Sequence, residues 1–259
     1  MYMATIIAIA NQKGGVGKTT TTINLGAYLA RLGKKVLVID LDPQGNTTSG
    51  LGVNRAELET CLYDVILSGA DIIEVSHQST VKNLHITPAT NVLASAEVEL
   101  VNQPSREFKL RMAIDEIQGL YDYILIDCPP SLGLLTLNGL VASHHVLIPV
   151  QSEYYALEGL TQLLNTINLV KQRLNNQLDV MGIVMTMFNP STSLSKQVHD
   201  EVKKHLNHKV FDTIIPRNIR LAEAPSYGQT ILEYDKWSKG ARGYKNLAKE
   251  VLKRAKQSA

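Results

Sequence analysis

Two cysteines, Cys61 and Cys128, are all that 259 residues provide, too few for a disulfide framework or a cysteine-based metal cluster. No apolar run approaches the roughly 18 residues of a membrane-spanning helix. No secretory leader is expected ahead of the first apolar run. Internal repeats, low-complexity tracts and Pro/Gly-rich linkers are also missing. These absences exclude secreted disulfide scaffolds, membrane channels and repeat arrays. With 44% apolar and 19% charged residues, the expectation is a cytoplasmic globular protein with a sizeable core, one domain spanning 1–259.

What is there begins at residue 5. A β-rich run over 5–10 leads into Asn11-Gln12-Lys13-Gly14-Gly15-Val16-Gly17-Lys18-Thr19-Thr20, and a helical pattern follows over 18–31. This meets the G-x-x-x-x-G-K-[ST] phosphate-loop pattern except at its first position, where Gln12 replaces glycine, and it carries an extra lysine, Lys13. Successive backbone N–H groups from Gly14 to Thr19 can converge on phosphate oxygens, helped by the positive end of the helix dipole. Lys18 is then the residue for the β- and γ-phosphates, and the Thr19 hydroxyl a ligand of Mg2+.

Apolar runs at 35–40, 84–87, 123–127, 146–150, 180–187 and 210–215 read as further strands. Helical spacing recurs between them, at 105–117 through Leu110, Ala113, Ile114 and Ile117, and again at 158–174. Gly33 ends the first helix. Alternating β and α segments with largely apolar strands predict an α/β fold: a doubly wound, mostly parallel sheet with helices on both faces.

In such sheets ligands sit beyond the carboxyl ends of the strands. Two acidic strings fall there: Asp40-Leu41-Asp42-Pro43-Gln44-Gly45-Asn46 and Asp127-Cys128-Pro129-Pro130. An apolar strand ending in Asp127 has the Walker B form, a carboxylate that holds Mg2+. Asp42 is placed to orient the attacking water, and Asp40 to support the Mg2+ shell. Each alone is equally consistent with a carboxylate ordering a turn; the phosphate loop in the same chain favours function. Pro129-Pro130 stiffens the segment after Asp127.

Charge is unevenly spread. Residues 1–188 hold 12 Lys/Arg against 17 Asp/Glu, whereas 189–259 hold 14 against 7. A basic C-terminal quarter suits an anionic partner, nucleic acid or a membrane surface.

The string Lys13-Gly14-Gly15-Val16-Gly17-Lys18-Thr19-Thr20 resembles the deviant Walker A loop of the ParA/MinD ATPases. The two acidic strings, Glu153-Tyr154-Tyr155-Ala156-Leu157-Glu158-Gly159, and Ile215-Pro216-Arg217-Asn218-Ile219-Arg220-Leu221-Ala222-Glu223-Ala224-Pro225-Ser226 are similar to the ParA/Soj chromosome-partitioning branch. The resemblance extends from Thr5 to about Leu252. It implies an ATPase using ATP and Mg2+, weak alone and stimulated by a ParB-like centromere-binding partner. It also implies an ATP-dependent homodimer in which Lys13 reaches the partner's phosphates, much as an arginine finger completes a site. Pro216 and Asn218 would lie near the adenine, and Glu153 near nucleotide across the dimer.

Relatives of this kind divide by partner. The partitioning branch binds double-stranded DNA without sequence preference and associates with the nucleoid; MinD-like positioning ATPases bind membranes through a C-terminal amphipathic helix. Here that helix has an apolar stripe of Tyr244, Leu247, Ala248, Val251, Leu252 and Ala255, opposite Arg242, Lys245, Lys249, Lys253 and Arg254. Two alanines and no Trp or Phe suit packing against the domain better than insertion into lipid, so no membrane partner is expected. Arg220, Arg217, Lys196, Lys203 and Lys204 are the candidate DNA contacts. Some relatives carry an arginine in the loop that reads Asn189-Pro190-Ser191-Thr192 here, which removes one such contact, and Lys196 is placed to compensate. An iron–sulfur reductase on the same fold would need converging cysteines, and Cys61 lies far from Cys128 in sequence.

Overall fold

The computed structural model describes residues 3–153, 156–206 and 209–258. Among them, β1 (Thr5–Ile9), β2 (Val36–Asp40), β3 (His77–Gln78), β4 (Leu84–Thr87), β5 (Tyr123–Asp127), β6 (His145–Gln151), β7 (Asp179–Phe188) and β8 (Val210–Pro216) form one sheet in the order β3-β4-β2-β5-β1-β6-β7-β8. Every pairing is parallel except β3–β4. That exception follows from a short connection: a parallel neighbour needs a crossover of a dozen or so residues, whereas here five residues turn the chain, with Asn83 at φ 67°. β3 is exposed and was not evident in the sequence.

The helices are α1 (Lys18–Arg31), α2 (Asn46–Gly50), α3 (Leu62–Ser68), α4 (Ile72–Val75), α5 (Leu93–Glu99) and α6 (Lys109–Asp115) in the first half. They continue with α7 (Leu134–Ala142), α8 (Ala156–Arg173), α9 (Ser193–Leu206), α10 (Ile219–Glu223), α11 (Ile231–Tyr234) and α12 (Lys239–Ser258). Period-2 alternation divides each central strand between two cores. Ile6, Ala8, Leu37, Ile39, Ile124 and Ile126 face the side covered by α3 to α9. Ile7, Ile9, Val36, Val38, Tyr123 and Leu125 face α1, α11 and α12. Both faces are therefore buried, which is why these strands read as continuous apolar runs.

Local endings explain most boundaries. α1 stops where Gly33, at φ 86°, adopts the left-handed conformation, with Lys34 N–H donating to Leu29 O and Gly33 N–H to Ala30 O, a Schellman closure. The helix expected over 105–117 is shorter: Ser105 has φ 51°, the next residues form turns, and regular helix runs only over Lys109–Asp115. Leu110 and Ile114 are buried as the pattern predicted. α12 buries Tyr244, Leu247, Ala248, Val251 and Ala255, with Leu252 partly buried, so its apolar stripe faces the domain. Arg254 departs from the exposed basic face on which the pattern put it. Its guanidinium lies 4.0 Å from the centre of the Phe211 ring and donates to Met181 O and Val210 O. Its long stem lets the charge reach these strand carbonyls from the helix.

Candidate nucleotide-binding site

β1 delivers the loop of residues 11–17 to the middle of the sheet, between the ends of β5 and β6. Asn11 anchors it: the amide Nδ2 donates to Pro149 O at 2.7 Å and Oδ1 accepts from Lys13 N–H at 3.0 Å. Gly15 and Gly17 have φ 74° and 89°, so the loop needs residues without a Cβ penalty there. On the far side the Thr186 hydroxyl donates to Val16 O at 2.7 Å. In a trans peptide the Gly17 N–H points opposite to that carbonyl, away from Thr186. The first N–H groups of α1 follow directly, and free N–H groups at a helix start suit an anion.

Lys18 lies across this loop, its Nζ 3.1 Å from Lys13 O. Burial pulls its pKa below the usual lysine value, while Asp127 opposes the shift. An anion in the loop would offset that desolvation. Lys13 differs: it is half-exposed, and its Nζ meets Glu153 Oε2 at 2.7 Å. Gln151 Nε2 holds the other carboxylate oxygen at 2.6 Å. Tyr154 and Tyr155 of the same string lie outside the described residues.

Asp40 and Asp127 stand in register on neighbouring strands, both buried. Burial pushes both carboxyls above the usual carboxylate range, and for Asp40 the neighbouring Asp127 adds to the shift. Three hydroxyls converge on Asp127: Thr19 at 2.8 Å and Thr47 at 2.6 Å on Oδ2, and Thr22 at 3.2 Å on Oδ1. Asp40 instead accepts from the Thr48 hydroxyl at 2.7 Å and the Thr48 N–H at 2.8 Å. The two carboxylates, both buried, thus differ in partners: Asp127 is held by Thr19 of the phosphate loop's helix as well as by Thr47, whereas Asp40 is committed to Thr48 at the start of α2. A buried carboxylate beside a threonine hydroxyl fits Mg2+, which takes one or two protein oxygens and completes its octahedron with phosphate and water. Among the described residues no group of three or more His, Cys, Asp or Glu gathers into a protein-only metal cage.

Asp42 is partly exposed at the rim, its Oδ1 accepting from Gln44 N–H at 2.9 Å. The turn behind it is fixed by Gly45 at φ 63°, where a Cβ would fall 2.8 Å from Ala89 O. Arg55 Nη1 donates to Gln44 O at 2.6 Å. A cavity of about 640 Å3 opens between Gly14, Lys18, Thr19, Asp42 and Pro130. It adjoins an apolar cavity of about 430 Å3 lined by Thr186, Ile215, Pro216, Asn218, Leu221 and Tyr244. Gly17, Thr20 and Met187 line both. One cleft therefore offers a polar, cationic end and an apolar end, the two halves that a nucleotide needs. Met187 adopts φ 50° at the junction, an uncommon conformation of the kind found at ligand sites. Asn218 caps α10, Oδ1 accepting from Arg220 N–H at 3.0 Å.

The sequence did not reveal Asn11, Thr22, Thr47, Thr48 or Thr186 as parts of this site. The signal present was Thr47-Thr48 directly after the acidic string; Thr186 comes from a strand 170 residues away from its partner.

The basic residues occupy different settings. Arg217, Lys196 and Lys203 are exposed, and Lys204 lies 3.9 Å from Glu201. Arg220 is held between Glu223, at 2.9 Å, and Asp235, at 3.8 Å. Its charge is thus partly matched within the chain.

Sheet order, phosphate loop, strand-end carboxylates and cleft together define a P-loop nucleoside triphosphatase. A family model described as an AAA domain matches residues 4–180. The chain is 57% identical to the sporulation initiation inhibitor protein Soj of Bacillus subtilis over 249 residues, 96% of this chain and 98% of that one. It is 52% identical to the chromosome partitioning protein ParA of Myxococcus xanthus, over 96% of this chain and 88% of that one. Among solved structures, a cobyrinic acid a,c-diamide synthase from Mycobacterium smegmatis with bound ADP and magnesium superposes with TM-score 0.88 at 36% identity. That match covers 99% of this chain and 97% of that one. The chain belongs to the ParA/Soj family of chromosome-partitioning ATPases. It is an ATPase, and its cofactors are ATP and Mg2+.

Proposed function

We propose that this chain, acting as one domain, is an ATP-operated dimerisation switch. As an ATP dimer it holds double-stranded DNA without sequence preference on the nucleoid. A ParB-like centromere-binding partner then stimulates hydrolysis and releases it. The observation that carries this reading is Lys13. It is a second loop lysine, half-exposed at the rim and engaged by Glu153 rather than by the loop it belongs to. A cation so placed is available to a second copy's phosphates, which makes ATP binding and dimerisation one event.

Within one protomer the roles follow from position. Gly14, Gly15, Val16, Gly17, Thr19 and Thr20 supply backbone N–H groups to the phosphates, and Lys18 supplies charge. Thr19 and Asp127 hold Mg2+, with Asp40 behind them. Bound there, Mg2+ would supply charge neutralisation to the phosphates. Asp42, at the rim, orients the attacking water. Pro216 and Asn218 border the base, in the apolar half of the cleft.

DNA is favoured over a membrane by the burial of α12's apolar stripe in the core, which leaves charged residues, not an amphipathic face, for a partner. Among the described residues no helix is long and apolar enough to cross a membrane. Arg220, Arg217, Lys196, Lys203 and Lys204 are the proposed phosphate contacts. Sizing the protein with ADP, with ATP, and with ATP plus DNA tests the whole proposal. A dimer only with ATP, shifted further by DNA, is expected; a monomer in all three refutes it.

A further inference from the structure

We infer that Thr47 is a positioning residue that couples the segment carrying Asp42 to the carboxylate of Asp127. Asp127 is buried and takes three hydroxyl donors. Two of them, Thr19 and Thr22, come from α1 and belong to the phosphate loop's own helix. The third, Thr47, comes from α2, one turn after Asp42, and makes the shortest of the three contacts at 2.6 Å.

That geometry sets a division of labour. Thr22 also donates to Lys18 O at 3.1 Å, so its hydroxyl is shared with its own helix. Thr19 is the hydroxyl assigned to the metal. Thr47 is then the side chain through which the 42–47 turn senses where Asp127 stands. Its neighbour Thr48 does a different job: it fixes α2 to Asp40 and, through its hydroxyl oxygen, accepts the Ala89 N–H at 2.9 Å. Thr48 is tied to the scaffold, and Thr47 to the reacting site. Between them and Asp42 lies only the turn at Gly45, which has φ 63° and where a Cβ would fall 2.8 Å from Ala89 O.

A hydroxyl is suited to this task. It donates to an ionised carboxylate, a charge-assisted contact stronger than a neutral one, and cannot donate from the isosteric valine. Because a misplacement of about 1 Å can cost 100-fold in rate, losing the tether should lower turnover without lowering nucleotide affinity.

The inference rests on the proposed role of Asp42, and its test separates the two. In the full chain, Thr47→Val and Thr47→Ser are compared by amide hydrogen exchange over residues 42–50 without nucleotide, and by kcat and KM for MgATP. Thr47→Val is expected to exchange about tenfold faster in that segment and to lose about tenfold in kcat with KM within about twofold; Thr47→Ser should restore both. Unchanged exchange and kcat in Thr47→Val, or a serine variant that behaves like valine, overturns the tether. So does a fall in kcat without faster exchange, which would make Thr47 act on the phosphates directly. If exchange and kcat respond as expected while Asp42→Ala keeps full turnover, the tether stands and the role given to Asp42 fails.

Discussion

Lys13 and Glu153 form an ion pair of 2.7 Å across the mouth of the phosphate loop, 140 residues apart in sequence and both accessible to solvent. Such a pair contributes little to stability. Its consequence is positional: it keeps the second loop lysine outside the loop that Lys18 occupies, on the face where the proposed dimer would bring a second protomer's phosphates.

Lys13→Ala is therefore expected to keep nucleotide binding within about threefold, because Lys18 and the loop N–H groups remain. It should abolish the ATP-dependent dimer, as read by light scattering. An ATP dimer of ordinary stability in this variant would remove Lys13 from the interface.

Asp42→Ala should bind ATP and dimerise, yet turn over at least about 100-fold more slowly, the usual loss when a positioned polar group is removed. DNA retention in the presence of ATP should then persist for hours instead of decaying as ATP is consumed. Rapid release from DNA would show that Asp42 is not needed for hydrolysis.

Chelating Mg2+ should stop turnover and shrink the rise in Tm that ATP produces, since a ligand that binds more weakly stabilises the fold less. Asp127→Asn should reproduce this in excess Mg2+. A variant with normal Mg2+ dependence would mean that another group holds the ion.

Two arginines of the C-terminal quarter should separate cleanly. Arg220→Ala is expected to weaken ATP-dependent DNA binding while leaving Tm nearly unchanged. For about four phosphate contacts, log K should fall with log salt at a slope of roughly −3.6, shallower by about 0.9 in the variant. Arg254→Ala should leave the salt slope alone and destabilise the fold by about 2–3 kcal/mol, through lost carbonyl contacts and the Phe211 face. Equal effects of both on DNA binding would contradict the separation.

The chain by itself determined the phosphate loop, the strand-end aspartates, the doubly wound sheet and the buried side of α12. All are short-range facts: spacing of glycines around Lys18, apolar runs ending in Asp40 and Asp127, and helical periodicity at Tyr244, Leu247 and Val251. Residue type and neighbours suffice to specify them. Tertiary structure alone decided the rest. Thr186 reaches Val16 and Glu153 reaches Lys13 only because β6 lies beside β1 and β7 beside β6 in the sheet order. Arg254 sits on Phe211, not on a charged face, because β8 presents that ring under the last turns of α12. Thr47 and Thr48, adjacent and alike in sequence, face different carboxylates because Asp40 and Asp127 stand side by side on parallel strands. Local patterning fixes the main strands and long helices and the faces they bury; which side chains meet depends on strand order and register, which no local pattern encodes.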